Sequence, residues 1–415
     1  APRLVGGGPR PVKAQALGLH WDLAPGLSYL NHGSFGLAPR ELLQWRFQLL
    51  QAMERDPVQF LAEELPPRLQ QSRAALASLV GTSPEQLAFV PSTTYGLNEL
   101  VHRLELLLER LPPGSEILLP DQAYNATLNL VRFAAEQRGW IVREVAVPLP
   151  LQSAQEVVAA FERAWSPATR LLVLDHITSP TALVLPLAPL IALARERGAL
   201  VIVDGAHAPG SLPLQLDQLQ PDAYVGNLHK WLCCPRGSAF LWVRSPWQER
   251  LRPLVVSHGA NGPLAEGVSR FQLEHDWIGT ADPTPWLALP EALKLLGAGL
   301  PLTPQALDPL LQAHHQLAQQ GQTLLLELLQ QQPLAPSSLQ AAMAAVPLPP
   351  TDRLDGLKLQ GWLRQHGVQV PVIPLQPHRP AQPQFLRISC FAYNTLSDLQ
   401  KLVDLLPEGL AATVV

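Results

Sequence analysis

The chain has 415 residues, 47% hydrophobic and 15% charged, with a formal net charge of -4. That is enough apolar material for a large core, and the length predicts two domains rather than three. No basic excess points to nucleic acid, no apolar run approaches the ~20 residues of a membrane span, and residues 1–18 lack the apolar stretch of a signal peptide.

Residues 1–38 are expected to form a segment packing on both domains, 39–289 a large domain and 290–415 a small one. From about Gln86 to Val243 short apolar runs alternate with amphipathic segments. QLAFV, EILLP, WIVREVAV, RLLVLDH, ALVIVD, DAYVG and SAFLWV read as strands. Most are dense in Val, Ile and Leu without polar alternation, as in sheets buried on both faces. Helical patterns lie between them at Tyr95–Arg110, Tyr124–Arg138, Ala154–Trp165 and Leu187–Arg197. This alternation predicts a doubly wound, mostly parallel α/β sheet, whose ligands sit beyond the carboxyl ends of its strands. After about Pro290 a long Leu/Gln-rich helix, a helix around Arg353–His366, a strand at FLRIS and a last helix from Leu396 read as a smaller α+β domain. Thr395 with Asp398 fits a capping box for that last helix.

Lysine occurs only at positions 13, 230, 294, 358 and 401, so any chemistry needing a lysine amine has few candidates. Lys230 follows one apolar strand and precedes another, flanked by His229 and Trp231. A lone lysine usually reads as surface charge, but a desolvated one has a lowered pKa and forms imines readily. Asp204 ends the strand ALVIVD, with Gly205 and His207 after it. By itself it reads equally as a turn or capping residue. Ser92, Thr93 and Thr94 lead into a helix, and hydroxyls with free N–H groups there suit an anion. Together the three pieces describe pyridoxal 5′-phosphate: phosphate at Thr93 and Thr94, Asp204 keeping the pyridine nitrogen protonated, and Lys230 as the Schiff-base amine.

The stretches YLNHGSFG, DHITSPTA, VDGAHAPG, GNLHKWLCCPRG, DWIGTADP and LRISCFAYNT resemble the class V aminotransferase group of fold-type I enzymes. Within it they are most similar to the isopenicillin N epimerase-like branch, which also contains C–S lyases. The resemblance implies that His229 lies near the phosphate and that Tyr124 stacks on the cofactor ring. It places Ser179 where many relatives carry an asparagine facing the ring oxygen, and Asp204 with His207 in an Asp-x-x-His pair. Thr280 matches a residue that reaches the partner subunit's phosphate, implying a homodimer, and Arg387 matches the arginine that grips the substrate carboxylate.

Arg387 also has a reading of its own. Phe385, Arg387 and Ser389 share one strand face, where a guanidinium fork suits a carboxylate. Without the resemblance an edge-strand surface arginine is the simpler reading. Asn31 and His32 are candidates for the substrate pocket, or for a simple turn.

The stretch Arg364–Phe385 holds no cysteine before Arg387, so persulfide chemistry is not expected, and Cys233, Cys234 and Cys390 read as small packed residues. The odd cysteine count gives no disulfide framework, and a soluble, cytoplasmic setting is expected. The histidines show no metal-ligand spacing. Lys230, with His207 and Tyr124, is expected to act at the Cα of an amino acid, in epimerisation or racemisation. The alternatives, in order, are β-elimination of a C–S bond, transamination, and a non-enzymatic protein on the same fold.

Overall fold

The structure is a computed structural model that describes residues 17–103, 105–299, 302–350, 354–376 and 383–413. Its strands in chain order are β1 (Ser28–Tyr29), β2 (Leu87–Val90), β3 (Glu116–Pro120), β4 (Ile141–Val145), β5 (Thr169–Asp175) and β6 (Leu200–Asp204). They continue as β7 (Ala223–Asn227), β8 (Ala239–Val243), β9 (Met343–Pro347), β10 (Val368–Gln369), β11 (Val372–Pro374) and β12 (Gln384–Ser389).

Seven strands form one sheet in the order β2-β8-β7-β6-β5-β3-β4. All pairs are parallel except those of β8, which runs antiparallel to β2 and β7. The apolar runs bury both faces because alternate side chains serve opposite cores. Leu172, Leu174, Val201 and Val203 join one core with Val157, Phe161, Leu190 and Ile191 of the helices Ala154–Ala164 and Leu187–Glu196. Leu171, Val173, Leu200 and Ile202 join the other with Leu97, Leu100, Leu128 and Val131 of the helices Thr93–Arg103 and Asn125–Arg138. The expected segment Tyr95–Arg110 is described as two helices, Thr93–Arg103 and Glu105–Arg110.

The second sheet has the order β11-β12-β9 and is antiparallel throughout. Leu386 and Ile388 of β12 face the helices Pro304–Leu329, Gly356–Gln365 and Leu396–Thr413 through Leu317, Leu324, Leu359, Leu363, Leu399 and Leu402. Phe385 faces the opposite way and joins the large sheet's core. By the two-residue period Arg387 lies on that inner face. Since β12 is the central strand and Arg387 is only 1% exposed, it is no edge-strand surface residue. The last helix is capped from one side only. The Asp398 carboxylate accepts from the Thr395 N–H at 2.8 Å and from its hydroxyl at 3.1 Å.

The N-terminal segment enters beside the second sheet, where β1 pairs with β10 in parallel and the Ser389 N–H donates to the Leu30 carbonyl at 2.9 Å. Residues 1–16 of the expected segment lie outside the described residues. The helices Arg40–Arg55 and Leu65–Val80 follow, joined through a π-helical turn at Gln59–Glu64. Arg73 of the second is buried and pairs with Asp276 at 2.6 Å. No helix of the described residues is long and apolar enough to cross a membrane.

Candidate active site

A cavity of about 270 Å³ opens at the carboxyl ends of the parallel strands. Most of its wall residues lie at or just past a strand end. Ser92, Thr93 and Thr94 follow β2, Tyr124 follows β3, Asp175 ends β5, Asp204 ends β6, and Asn227, His229 and Lys230 follow β7. Ser34 and Phe35 of the N-terminal segment, with Ser179, complete much of the remaining wall.

Lys230 is buried, and its Nζ lies 3.3 Å from His207 Nε2. Burial first, then the charge of Arg387, lowers its pKa to about 7, while Asp204 acts in the opposite direction. A lysine in this state is substantially neutral at physiological pH and can serve as nucleophile or base. His207 is held neutral by burial and by the cations Lys230 and Arg387, and its Nδ1 is buried without a partner. His229 has Nδ1 at 2.7 Å from the Ser238 carbonyl, and burial lowers its pKa to about 4.

Asp204 accepts from the Thr127 hydroxyl at 2.8 Å and the Ala206 N–H at 3.1 Å. It has no salt-bridge partner among the described residues. Beside it lies a second carboxylate, because β5 and β6 pair in register at Asp175 and Asp204. Asp175 accepts from the Tyr124 N–H at 3.2 Å. Burial and the neighbouring Asp204 push its pKa well above the usual carboxylate range.

The Asn227 side chain accepts from the Thr93 N–H at 3.0 Å, and the Ser92 hydroxyl accepts from the Tyr95 N–H at 3.1 Å, fixing the helix start. The Thr93 hydroxyl is buried without a partner. Arg387 donates to the Ser179 carbonyl at 2.7 Å, the Ser179 hydroxyl at 3.2 Å and the Ser34 hydroxyl at 2.7 Å. Its Nε is buried and unpaired, and burial lowers its pKa to about 10.

These loose ends match the parts of pyridoxal phosphate. The free Thr93 hydroxyl and the helix start suit a phosphate, the unpaired buried carboxylate of Asp204 suits a protonated pyridine nitrogen, and Lys230 is the available amine. The unpaired Nε of Arg387 suits an oxygen of an amino acid's carboxylate.

Of the residues singled out from sequence, Thr93, Thr94, Tyr124, Ser179, Asp204, His207, His229 and Lys230 line one cavity, and Arg387 is bonded to two of its wall residues. Ser179 engages Arg387. Asn31 and His32 do not line the cavity; from their loop Ser34 and Phe35 do. His32 is turned into an aromatic cluster, bonded to Tyr393 and to the Lys230 carbonyl. Thr280 is exposed and lies outside the cavity of its own chain. Asp175, Asn227, Thr127 and Ser34 went unnoticed in the sequence. RLLVLDH ends in an aspartate just as ALVIVD does, which was the available signal for Asp175.

The aminotransferase class-V family model matches residues 47–402. The isopenicillin N epimerase of Amycolatopsis lactamdurans is 36% identical over 402 residues, covering 93% of this chain and 96% of that protein. The L-cysteine desulfhydrase of Arabidopsis thaliana is 25% identical over 414 residues, covering 92% of this chain and 88% of its own. Among solved structures, a mutant of C-DES with glycine covalently linked to its pyridoxal phosphate superposes with a TM-score of 0.74 at 24% identity, covering 92% of this chain and 96% of the other.

Proposed function

From the premise that this chain belongs to the aminotransferase class-V family and depends on pyridoxal phosphate, we propose that it acts at the Cα of an amino acid as an isopenicillin N epimerase-like enzyme. The observation that carries this reading is that buried Lys230 and buried Asp204 line one cavity, with Arg387 bonded to two of its wall residues, Ser34 and Ser179.

When bound, the cofactor would supply an electron sink that acidifies the Cα proton of the amino acid. Asp204 holds the ring nitrogen protonated. Thr93, Thr94 and His229 would receive the phosphate, and Tyr124 would cover one ring face. Arg387 grips the substrate carboxylate through its fork, which Ser34 and Ser179 keep oriented. Lys230 Nζ takes the Cα proton, and His207 at 3.3 Å stays neutral, so it does not add a second charge beside the amine. Epimerisation needs an acid on the opposite face of Cα, and Tyr124 is that candidate. Thr280, exposed on its own chain, reaches the phosphate of a second copy in a homodimer. Large and small domains at 39–289 and 290–415 then meet where Arg387 faces Lys230.

Elimination of a β-sulfur substituent is the second reading, supported by the likeness to an L-cysteine desulfhydrase, and it needs no acid beyond Lys230. Persulfide formation on a cysteine of the enzyme is disfavoured. Cys233, Cys234 and Cys390 are buried, burial raises their thiol pKa values, and no cysteine lies between Arg364 and Phe385.

The purified protein is expected to be yellow, and Lys230→Ala should lose that absorbance. Incubation with L-amino acids and cysteine conjugates in deuterated water separates the branches. Cα deuterium with scrambled chirality supports epimerisation, pyruvate with ammonia supports lysis, and stoichiometric conversion to the pyridoxamine form supports transamination. A colourless wild type that responds to no amino acid sinks the proposal. Sedimentation at micromolar concentration should give a dimer.

A further inference from the structure

The segment Leu30–Gly36 runs between the two groups that must act on one substrate. At its start the Leu30 carbonyl accepts from the Ser389 N–H at 2.9 Å, two residues from Arg387 on the same strand. At its centre Ser34 accepts from Arg387 at 2.7 Å. At its end Gly36 lies so close to the lysine backbone that an added Cβ would stand 2.4 Å from the Lys230 carbonyl oxygen and 2.6 Å from that of His229. Between these points His32, fully buried, has Nε2 at 2.9 Å from the Lys230 carbonyl and Nδ1 at 2.9 Å from the Tyr393 hydroxyl.

A carbonyl oxygen only accepts, so Nε2 must carry the proton. Nδ1 is then the acceptor and the Tyr393 hydroxyl donates. The ring lies face to face on Phe391, centroids 4.0 Å apart and planes 2° from parallel, which fixes its orientation. Burial lowers the pKa of His32 to about 3, in keeping with one neutral tautomer across the working range.

We propose that His32 is a positioning residue. Through its hydrogen bonds to the Lys230 carbonyl and to Tyr393 it sets the amine of Lys230 in register with the carboxylate grip of Arg387. The inference rests on the roles assigned above to those two residues. His32 touches no reacting atom, so its loss should disturb proton transfer far more than substrate binding.

The test uses the holoenzyme. With ¹⁵N-labelled histidine, His32 should show the neutral Nε2–H tautomer, with shifts constant from pH 5 to 9, and Tyr393→Phe should move its Nδ1 signal. Exchange of the Cα proton in deuterated water is followed with L-alanine, L-cysteine and L-α-aminoadipate. His32→Phe removes both hydrogen bonds, and a misplacement of about 1 Å predicts roughly a 100-fold loss in exchange rate with half-saturation changed by less than about 3-fold. His32→Gln retains a donor for the Lys230 carbonyl and should recover most of the rate. A titrating His32, an Nδ1–H tautomer, an unchanged rate in His32→Phe, or a glutamine variant as poor as phenylalanine overturns the proposal. If Tyr393→Phe leaves the Nδ1 signal in place, the link to the second sheet is wrong. A wild type that exchanges no proton from any of the three overturns the functional reading and this inference with it.

Discussion

Asp175 and Asp204 end adjacent strands at paired positions, and the proposed function gives a role toward the cofactor to Asp204 alone. Burial and Asp204 raise the Asp175 pKa well above the carboxylate range, so the folded chain keeps it protonated while the unfolded chain ionises it above about 3.9. A raised folded pKa gives stability that is complete at acid pH and is lost as pH rises toward the folded value. Asp175→Asn removes that loss, since the amide resembles the neutral acid. Its urea midpoint should match wild type near pH 4 and exceed it by a growing margin toward pH 7. A margin that shrinks with pH means Asp175 is ionised in the fold. Arg387→Lys keeps a charge but loses the fork held by Ser34 and Ser179. Charge-assisted hydrogen bonds contribute about 1.5–3 kcal/mol, so KM for an amino acid should rise roughly 10- to 100-fold with kcat less affected. The sequence disclosed Lys230 and Asp204 because each stands beside an unbroken apolar strand. The contacts of His32 were not legible, because its partners lie 198 and 361 residues away, beyond any local pattern.

At the level of elements, the strands of the large sheet were legible because both of their faces are buried, which leaves continuous apolar runs. The helices Arg40–Arg55 and Leu65–Val80 were not. The first buries only Leu42 and Leu49 and leaves Leu43 and Phe47 exposed, so its apolar residues do not trace one buried stripe. Strand β9, MAAVP, is alanine-rich and has Val346 as its one β-branched residue, a weak strand signature despite complete burial of Met343–Val346. The segment Leu30–Gly36 was readable as a glycine-containing turn, but not as the link between Lys230 and β12. That link predicts an intolerance at Gly36. The close atoms are backbone, so no side chain can swing aside for a new methyl group. Gly36→Ala should cost more than about 2 kcal/mol or release cofactor, measured by thermal melting and by retained yellow absorbance. Gly114→Ala is a control of opposite geometry, because nothing lies within 4 Å there and only its positive φ of 85° opposes the change.

Across the whole molecule, folding buries histidines that would otherwise bind protons. Burial lowers His32 and His314 to about 3 and His176 and His229 to about 4, and His207 also lies well below its ordinary value. These five are neutral in the fold and protonated in the unfolded chain below about pH 6.5, so they favour unfolding as pH falls. Asp175 and Asp204 oppose this, being raised in the fold, while His275, raised by Glu99 against the cost of burial, is protonated in both states at acid pH. His102 and His315 are lowered as well, so the lowered histidines outnumber the two raised aspartates and the unfolded chain is the richer in protons below about pH 6. At about 1.4 kcal/mol per proton and pH unit, stability should fall by a few kcal/mol for each unit. Urea midpoints at pH 7, 6 and 5 measure this directly, and the decline should set in just below pH 6.5. A midpoint that holds steady to pH 5 would mean that several of these histidines take up protons without leaving the fold. His314 is the sharpest single probe, because both of its ring nitrogens are buried without partners and nothing in the fold would hold its proton, so His314→Leu should remove about one proton's share of the slope.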